Sequence, residues 1–128
     1  MNLLLDTHVA LWAITDSPRL PQTARELIVL PKTSVWISVA SVWEIAIKYA
    51  LKRGDMPVSG QDARRYFDAS GYRLLSVEIE HVIAVEGLPA HHNDPFDRIL
   101  VAQALAEPMR LMTHDAVVAR YSDTIIKV

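Results

Sequence analysis

Apolar residues in this chain fall into short runs separated by longer stretches with helical spacing. Leu3-Leu4-Leu5 is a continuous apolar triplet, Val35-Trp36-Ile37 is β-branched and aromatic, and Leu111-Met112 is a third short run. Runs this short, bounded by turn residues, predict buried strands, with a weaker one over Arg73–Leu75 and a last one over Thr124–Val128. Helical patterns cover Thr7–Ile14, Pro21–Leu30, Ala40–Arg53, Gln61–Ala69, Glu78–Val85, Pro95–Leu105 and Ala116–Arg120. Pro and Gly mark most of the breaks, with no repeat, low-complexity tract or Ser/Gly linker between them. Strand–helix alternation predicts a parallel sheet covered on both faces, an α/β sandwich. The 128 residues suffice for one domain, 1–128, and are too few for two ordinary ones.

Composition narrows the chemistry. The chain is 51% hydrophobic and 22% charged, as expected of a packed globular protein rather than a disordered one. It has no cysteine, which excludes disulfides, thiolate metal sites and cysteine nucleophiles. The first residues carry no basic stretch, and no apolar run is long enough to span a bilayer, so a soluble, cytoplasmic protein without a membrane partner is expected. A net charge of −2 argues at first against a nucleic-acid partner. Four particular acids account for that sign. With them set aside the chain is net positive, and Lys48, Lys52, Arg53, Arg64 and Arg65 offer a basic surface.

Those acids are Asp6, Glu44, Asp97 and Asp115, and each taken alone has a structural explanation. Asp6 stands where the first strand gives way to a helix and fits an N-cap. It also stands at the carboxyl end of a strand, where open parallel sheets bind ligands. Ser41-Val42-Trp43-Glu44 fits a capping box, and Glu44 followed by Lys48 is a favourable i, i+4 ion pair. Asp94 before Pro95 is a cap with proline at the first helical position. Asp97 lies on the face of Leu100, Val101 and Ala104, where a carboxylate needs a cation, a donor or a metal. Asp115 follows a strand, and either it or Thr113 fits a helix cap. Taken together, all four acids fall at strand ends or helix starts, which in a parallel sheet is one edge. Carboxylates gathered there repel one another unless a hard divalent ion fills the gap.

Four blocks carry a resemblance that spans essentially the whole chain. They are Leu4-Leu5-Asp6-Thr7-His8, then Ser41 to Lys48 (SVWEIAIK), then Asp94 to Ala104 (DPFDRILVAQA), then Thr113-His114-Asp115. In this order they resemble the PIN-domain nucleases, in particular the VapC-type toxins of bacterial toxin–antitoxin pairs. The resemblance implies a PIN-like three-layer sandwich with a central parallel sheet. It places the four metal-binding and catalytic acids at Asp6, Glu44, Asp97 and Asp115. It further implies Mg²⁺ or Mn²⁺, hydrolysis of RNA by metal-activated water, a homodimer, and a VapB-like antitoxin that covers the site. Thr113 looks like the hydroxyl that orients the fourth acid or its water. Asp94, an extra acid three residues before the third, departs from the pattern and competes with Asp97 for its place.

The remaining candidates have weaker claims. Lys48 and Arg98 are placed to hold a phosphate or to neutralise neighbouring acids, with neutralisation favoured. His8, His91 and His92 are candidate ligands or proton shuttles, and Trp12, Trp36 and Trp43 candidate base-stacking residues, but mostly core and packing roles are expected at these positions. A haloacid dehalogenase-type phosphotransferase needs a second Asp two residues after Asp6, and His8 stands there. A receiver-type phospho-acceptor needs paired acids at the first strand and a lysine after a late strand, and neither is evident. The non-enzyme alternative is a PIN-like dimerisation or antitoxin-binding module; loss of an acid would favour it, and all four are present.

Overall fold

The computed structural model describes residues 1–128. Its strands are β1 (Asn2–Leu5), β2 (Ser34–Ser38), β3 (Arg73–Leu75), β4 (Arg110–Thr113) and β5 (Ile126–Lys127). Its helices are α1 (Thr7–Ile14), α2 (Gln22–Val29), α3 (Val39–Ala50), α4 (Gly60–Ala69), α5 (Ile79–Ala84), α6 (Pro95–Ala106) and α7 (Ala116–Ala119), with a 3₁₀ turn at Val85–Gly87. The strands form one sheet in the order β3-β2-β1-β4-β5, and every pairing is parallel. None of the helices is long and apolar enough to cross a membrane.

Side chains on a strand alternate between faces, and here both faces are buried. Leu3 and Leu5 join Val35, Ile37 and Met112 in a core closed by Val9 and Ala10 of α1, Ala24 of α2, Ile45 of α3 and Phe67 of α4. Leu4 and Leu111 point the other way, onto Leu100, Val101 and Ala104 of α6 and Val118 of α7. This explains why β1 is an uninterrupted apolar triplet. Helices α3 and α4 pack closely because Gly60 carries no Cβ, which would otherwise stand 3.1 Å from that of Ala46.

The order of strands places the site. From β1 the chain builds outward through β2 and β3, then returns to lay β4 on the other side of β1. Strand order therefore reverses between β1 and β4, and the crevice beyond their carboxyl ends is the usual ligand position in such sheets. Leu5 is in register with Met112, which brings Asp6 beside Thr113.

Three expectations about elements need correction. Helix α3 begins at Val39 rather than Ala40, capped by Ser38, whose Oγ accepts from Ala40 N at 3.0 Å. Ser41 is therefore inside the helix, buried, and accepts from Thr7 Oγ1 at 2.9 Å. The proposed Ser41–Glu44 capping box does not form, because Glu44 lies in the second turn. At the other end α3 stops at Ala50, and Lys52 takes a left-handed φ of 52°. The final strand is shorter than Thr124–Val128, since only Ile126 and Lys127 pair with β4. Among the three tryptophans, expected mostly to pack, Trp43 departs and is 62% exposed.

The cap makes a direct prediction. Ser38→Ala should cost about 1 kcal/mol in urea unfolding, and Ser38→Gly only a few tenths, because glycine leaves the N-terminal amides open to water. Equal costs would show that Ser38 stabilises by packing instead.

Candidate metal centre

Asp6 is the N-cap of α1 and is also buried at the switch point. Its Oδ1 accepts from Val9 N at 2.8 Å and its Oδ2 from Thr113 Oγ1 at 2.5 Å, while its own backbone N–H donates to Met112 O at 3.0 Å. Burial pushes its pKa up, and the Thr113 hydroxyl, the Val9 amide and His8 only partly oppose this. Capping and site geometry thus coexist in one residue. The resemblance implies that Thr113 orients the fourth acid or its water; in the structure its hydroxyl proton goes to the first acid. It accepts from the backbone N–H of Asp115 at 3.0 Å, so it links the two.

Glu44 is almost wholly buried. Its Oε2 accepts from Lys48 Nζ at 2.6 Å, and its Oε1 is buried with no partner. Lys48 is thus the ion-pair partner of Glu44. An orphaned carboxylate oxygen is a costly thing to bury, and a cation is one way to compensate it.

The structure separates Asp94 from Asp97. Asp94 caps α6, its Oδ1 accepting from Phe96 N at 2.8 Å and Asp97 N at 3.3 Å, with Pro95 at the first helical position. Asp97 is turned toward the other acids and is half-buried. Burial raises its pKa first, and the charges of Asp94, Asp6 and Glu44 add to the effect against a counteracting His92, leaving it at about 7. Asp115 behaves in the opposite way. Some burial raises it, but the amides of Val117 and Val118 and the ring of His92 together hold it below its ordinary range. Its Oδ1 accepts from those amides at 2.7 and 3.3 Å.

The residue that sequence reasoning undervalued is His92. Its Nε2 lies 3.1 Å from Asp115 Oδ2 and 3.4 Å from Asp97 Oδ2. Its Nδ1 accepts from Asp94 N at 3.0 Å, which requires a lone pair there and places the neutral ring's proton on Nε2. Polar atoms of His92, Asp97 and Asp115 lie within 4.8 Å of one another, and with its proton on Nε2 the ring meets the two carboxylates as a donor. Two adjacent histidines before the Asp94 turn were the only sequence signal.

Arg98 does not neutralise the acids. Its guanidinium donates to the carbonyls of Val85, Leu88, Pro89 and His92 and to Tyr121 Oη, pinning the segment between α5 and α6. Tyr121 Oη in turn accepts from His92 N at 2.9 Å. Asp6, Asp97 and Asp115 line one cleft of about 390 Å³, together with His8, Trp12, Arg19 and His114. Among the proposed basic residues only Lys48 lines the adjoining cleft, and Arg64 and Arg65 lie 3.8 Å from Asp68 and Asp62 of their own helix.

A family model described as the PIN domain matches residues 3–123. The chain belongs to the PIN-domain family. Solved structures of similar fold include VapBC2 from Rickettsia felis bound to a DNA fragment from its promoter. That chain is 15% identical, with TM-score 0.70, the match covering 100% of this PIN domain and 98% of the other chain. A toxin–antitoxin complex from Klebsiella pneumoniae is 14% identical with TM-score 0.66, covering 98% and 96%. VapBC-1 from nontypeable Haemophilus influenzae is 16% identical with TM-score 0.64, covering 100% and 97%. No curated protein sequence matches this PIN domain.

Two predictions follow from the charges. Asp97 holds its proton more tightly folded than unfolded, so its contribution to stability is full below pH about 3.8 and is lost as pH rises through about 7. In metal-free buffer Asp97→Asn should therefore melt above wild type, by a margin that widens between about pH 5 and about pH 8 to roughly 3 °C or more. A constant margin would mean that Asp97 is not strained by its neighbours. For His92, Gln keeps an N–H near the position of Nε2 and Asn keeps an acceptor near Nδ1. Calorimetric Mn²⁺ titration should find His92→Gln close to wild type and His92→Asn weaker by about tenfold or more. Preserved affinity in the Asn variant would reduce His92 to a loop-holding residue.

Proposed function

We propose that this PIN domain is a cytoplasmic, Mg²⁺- or Mn²⁺-dependent endoribonuclease, the toxin of a toxin–antitoxin pair. The observation that carries this reading is the cleft at the β1–β4 switch point lined by Asp6, Asp97 and Asp115, with the charge of Glu44 also acting on Asp97. Glu44 Oε1 has no partner, and Asp97 is raised to about 7 largely by burial and by other carboxylates. An all-oxygen donor set, with one histidine at its margin, fits a hard divalent ion. Asp6, Glu44, Asp97 and Asp115 would hold it. When bound, the ion supplies an activated water nucleophile and neutralises charge developing on the phosphodiester.

The chain's own residues prepare that chemistry. Thr113 and the Val9 amide fix the rotamer of Asp6, and the amides of Val117 and Val118 fix Asp115. Lys48 holds Glu44, leaving one buried oxygen without a partner. His92, itself held by Asp94 and Tyr121, lies against the free oxygens of Asp97 and Asp115. Positioning of this kind is what a metal-dependent site needs from its protein.

The antitoxin belongs to the same proposal. A groove of about 620 Å³ opens beside Asp97, lined mainly by apolar residues that include Val39, Trp43, Val82 and Phe96. Trp43 stands edge-on to Phe96 at 5.2 Å, both rings open to a partner. An apolar segment of a VapB-like antitoxin seated there would lie next to the acids and close the cleft. A homodimer completes the reading, by resemblance to the family.

Purified protein should cleave RNA in Mg²⁺ or Mn²⁺, leave 5′-phosphates, and stop in EDTA. Asp97→Asn should stay folded and lose cleavage by orders of magnitude, whereas Asp94→Ala should lose about 1 kcal/mol of stability and keep much of the cleavage. Undiminished activity in EDTA or in Asp6→Asn overturns the proposal. If Asp94→Ala is inactive but folded while Asp97→Asn is active, the third acid is the wrong aspartate.

A further inference from the structure

His92 joins two acids that stand at the starts of different helices. On one side its Nδ1 accepts from Asp94 N at 3.0 Å, and Asp94 caps α6, the helix that carries Asp97. On the other its Nε2 donates to Asp115 Oδ2 at 3.1 Å, and Asp115 caps α7, a helix of four residues. Asp97 Oδ2 lies 3.4 Å from the same nitrogen. The imidazole therefore bridges the beginnings of α6 and α7. It can hold them at a fixed separation only if its own backbone is held.

Tyr121 holds it. This residue follows α7, packs against the core layer of Leu4 and Leu111, and has the ring of His91 edge-on at 5.0 Å. Its Oη accepts from His92 N at 2.9 Å and from Arg98 Nη1 at 3.0 Å, and donates to His92 O at 3.4 Å. Both polar groups of the His92 backbone thus meet one hydroxyl. Two closed circuits share His92 as a result. One runs from Asp115 along α7 to Tyr121, then through the His92 backbone and ring back to Asp115. The other runs from Asp97 back along the first turn of α6 to Asp94, then through the ring to Asp97. Neither acid can move away from the other unless a joint in these circuits breaks.

We propose that Tyr121 is a positioning residue for ion selectivity: through His92 it fixes the separation of Asp97 and Asp115, so that the centre favours Mg²⁺ over Ca²⁺. The proposal rests on the reading of the four acids as a metal centre, and adds how that centre chooses its ion. Mg²⁺ demands near-octahedral oxygens at about 2.0–2.1 Å, whereas Ca²⁺ takes oxygens at about 2.3–2.6 Å in looser arrangements. The two ions have the same charge and the same taste for carboxylates, so the size and stiffness of the site separate them. Carboxylates free to part adapt to the larger ion. Carboxylates tied to one bridging ring do not. Without the Tyr121 hydroxyl, the His92 N–H loses its acceptor and the ring loses its anchor.

The test uses the full chain and needs no turnover. Bound Mn²⁺ is followed by electron paramagnetic resonance and displaced with Mg²⁺ or with Ca²⁺, which gives the affinity for each. Tyr121→Phe keeps the ring against the core and against His91 and deletes only the hydroxyl. Mg²⁺ affinity should fall by about tenfold, the scale for a lost outer partner of a metal ligand. Ca²⁺ affinity should hold or rise, so the preference for Mg²⁺ shrinks by at least the same factor. A general loosening of the fold weakens both ions alike, and an unchanged preference overturns the proposal. His92→Asn removes the bridge while the Tyr121 clasp stays in place, and should lose the preference by itself, in a chain whose loop is still pinned. Adding Tyr121→Phe to it should change nothing more; a second loss of equal size means that Tyr121 does not act through His92, and overturns the proposal as well. A wild-type chain that holds no Mn²⁺ brings down the metal-centre reading and the proposal together. A wild-type chain that holds Mn²⁺, with the wild-type preference kept in Tyr121→Phe, brings down the proposal alone.

Discussion

Where β1 ends, the N–H of Asp6 donates to Met112 O while the Thr113 hydroxyl donates to the Asp6 carboxylate. This junction between the first strand and the fourth is the contact on which the rest of the site depends. It completes the sheet at its point of reversal, and it fixes a buried acid before any ligand arrives. Thr113 then passes the constraint on, accepting from the Asp115 amide, so that two acids on different strands share one hydroxyl. The neighbouring helices hang the other carboxylates around this fixed pair, Glu44 from α3 and Asp97 from the start of α6.

Repulsion among these groups is resolved unequally. Asp115 is held in its charged form by amides and a histidine, while Asp97, deeper and surrounded by other carboxylates, is driven toward neutrality. Two carboxylates with pKa values forced apart by their surroundings are characteristic of working sites, and purely structural ion pairs do not need such an arrangement. The groups that surround them are themselves held. Arg98 ties down the segment that carries His92, and Tyr121 bridges the two, so the imidazole meets the acids from a fixed direction.

Much of this was legible in the sequence for a physical reason. A triplet such as Leu3-Leu4-Leu5 can be wholly apolar only if both faces of its strand are covered, and that requirement led to the layered parallel sheet. The same logic separated Asp94, with proline behind it, from Asp97 on an apolar face. The misses have reasons too. The N-terminus of α3 was misread because Ser38 and Ser41 both fit a cap, and only the strand register decides between them. Arg98 was misread because carbonyls that face a guanidinium leave no trace in the side-chain pattern. The value of His92 depends on a loop conformation, and the exposure of Trp43 on a groove between helices distant in sequence. Local patterning encodes neither.

The Asp6–Thr113 hydrogen bond spans 107 positions of the chain. During synthesis β1 is made long before β4, its second neighbour in the sheet. Until β4 emerges, β1 has only one strand beside it and Asp6 has no hydroxyl to hold it. The carboxylate cluster cannot assemble on a nascent or prematurely terminated chain. The site is thus a property of β1 and β4 joined, and neither strand holds it alone.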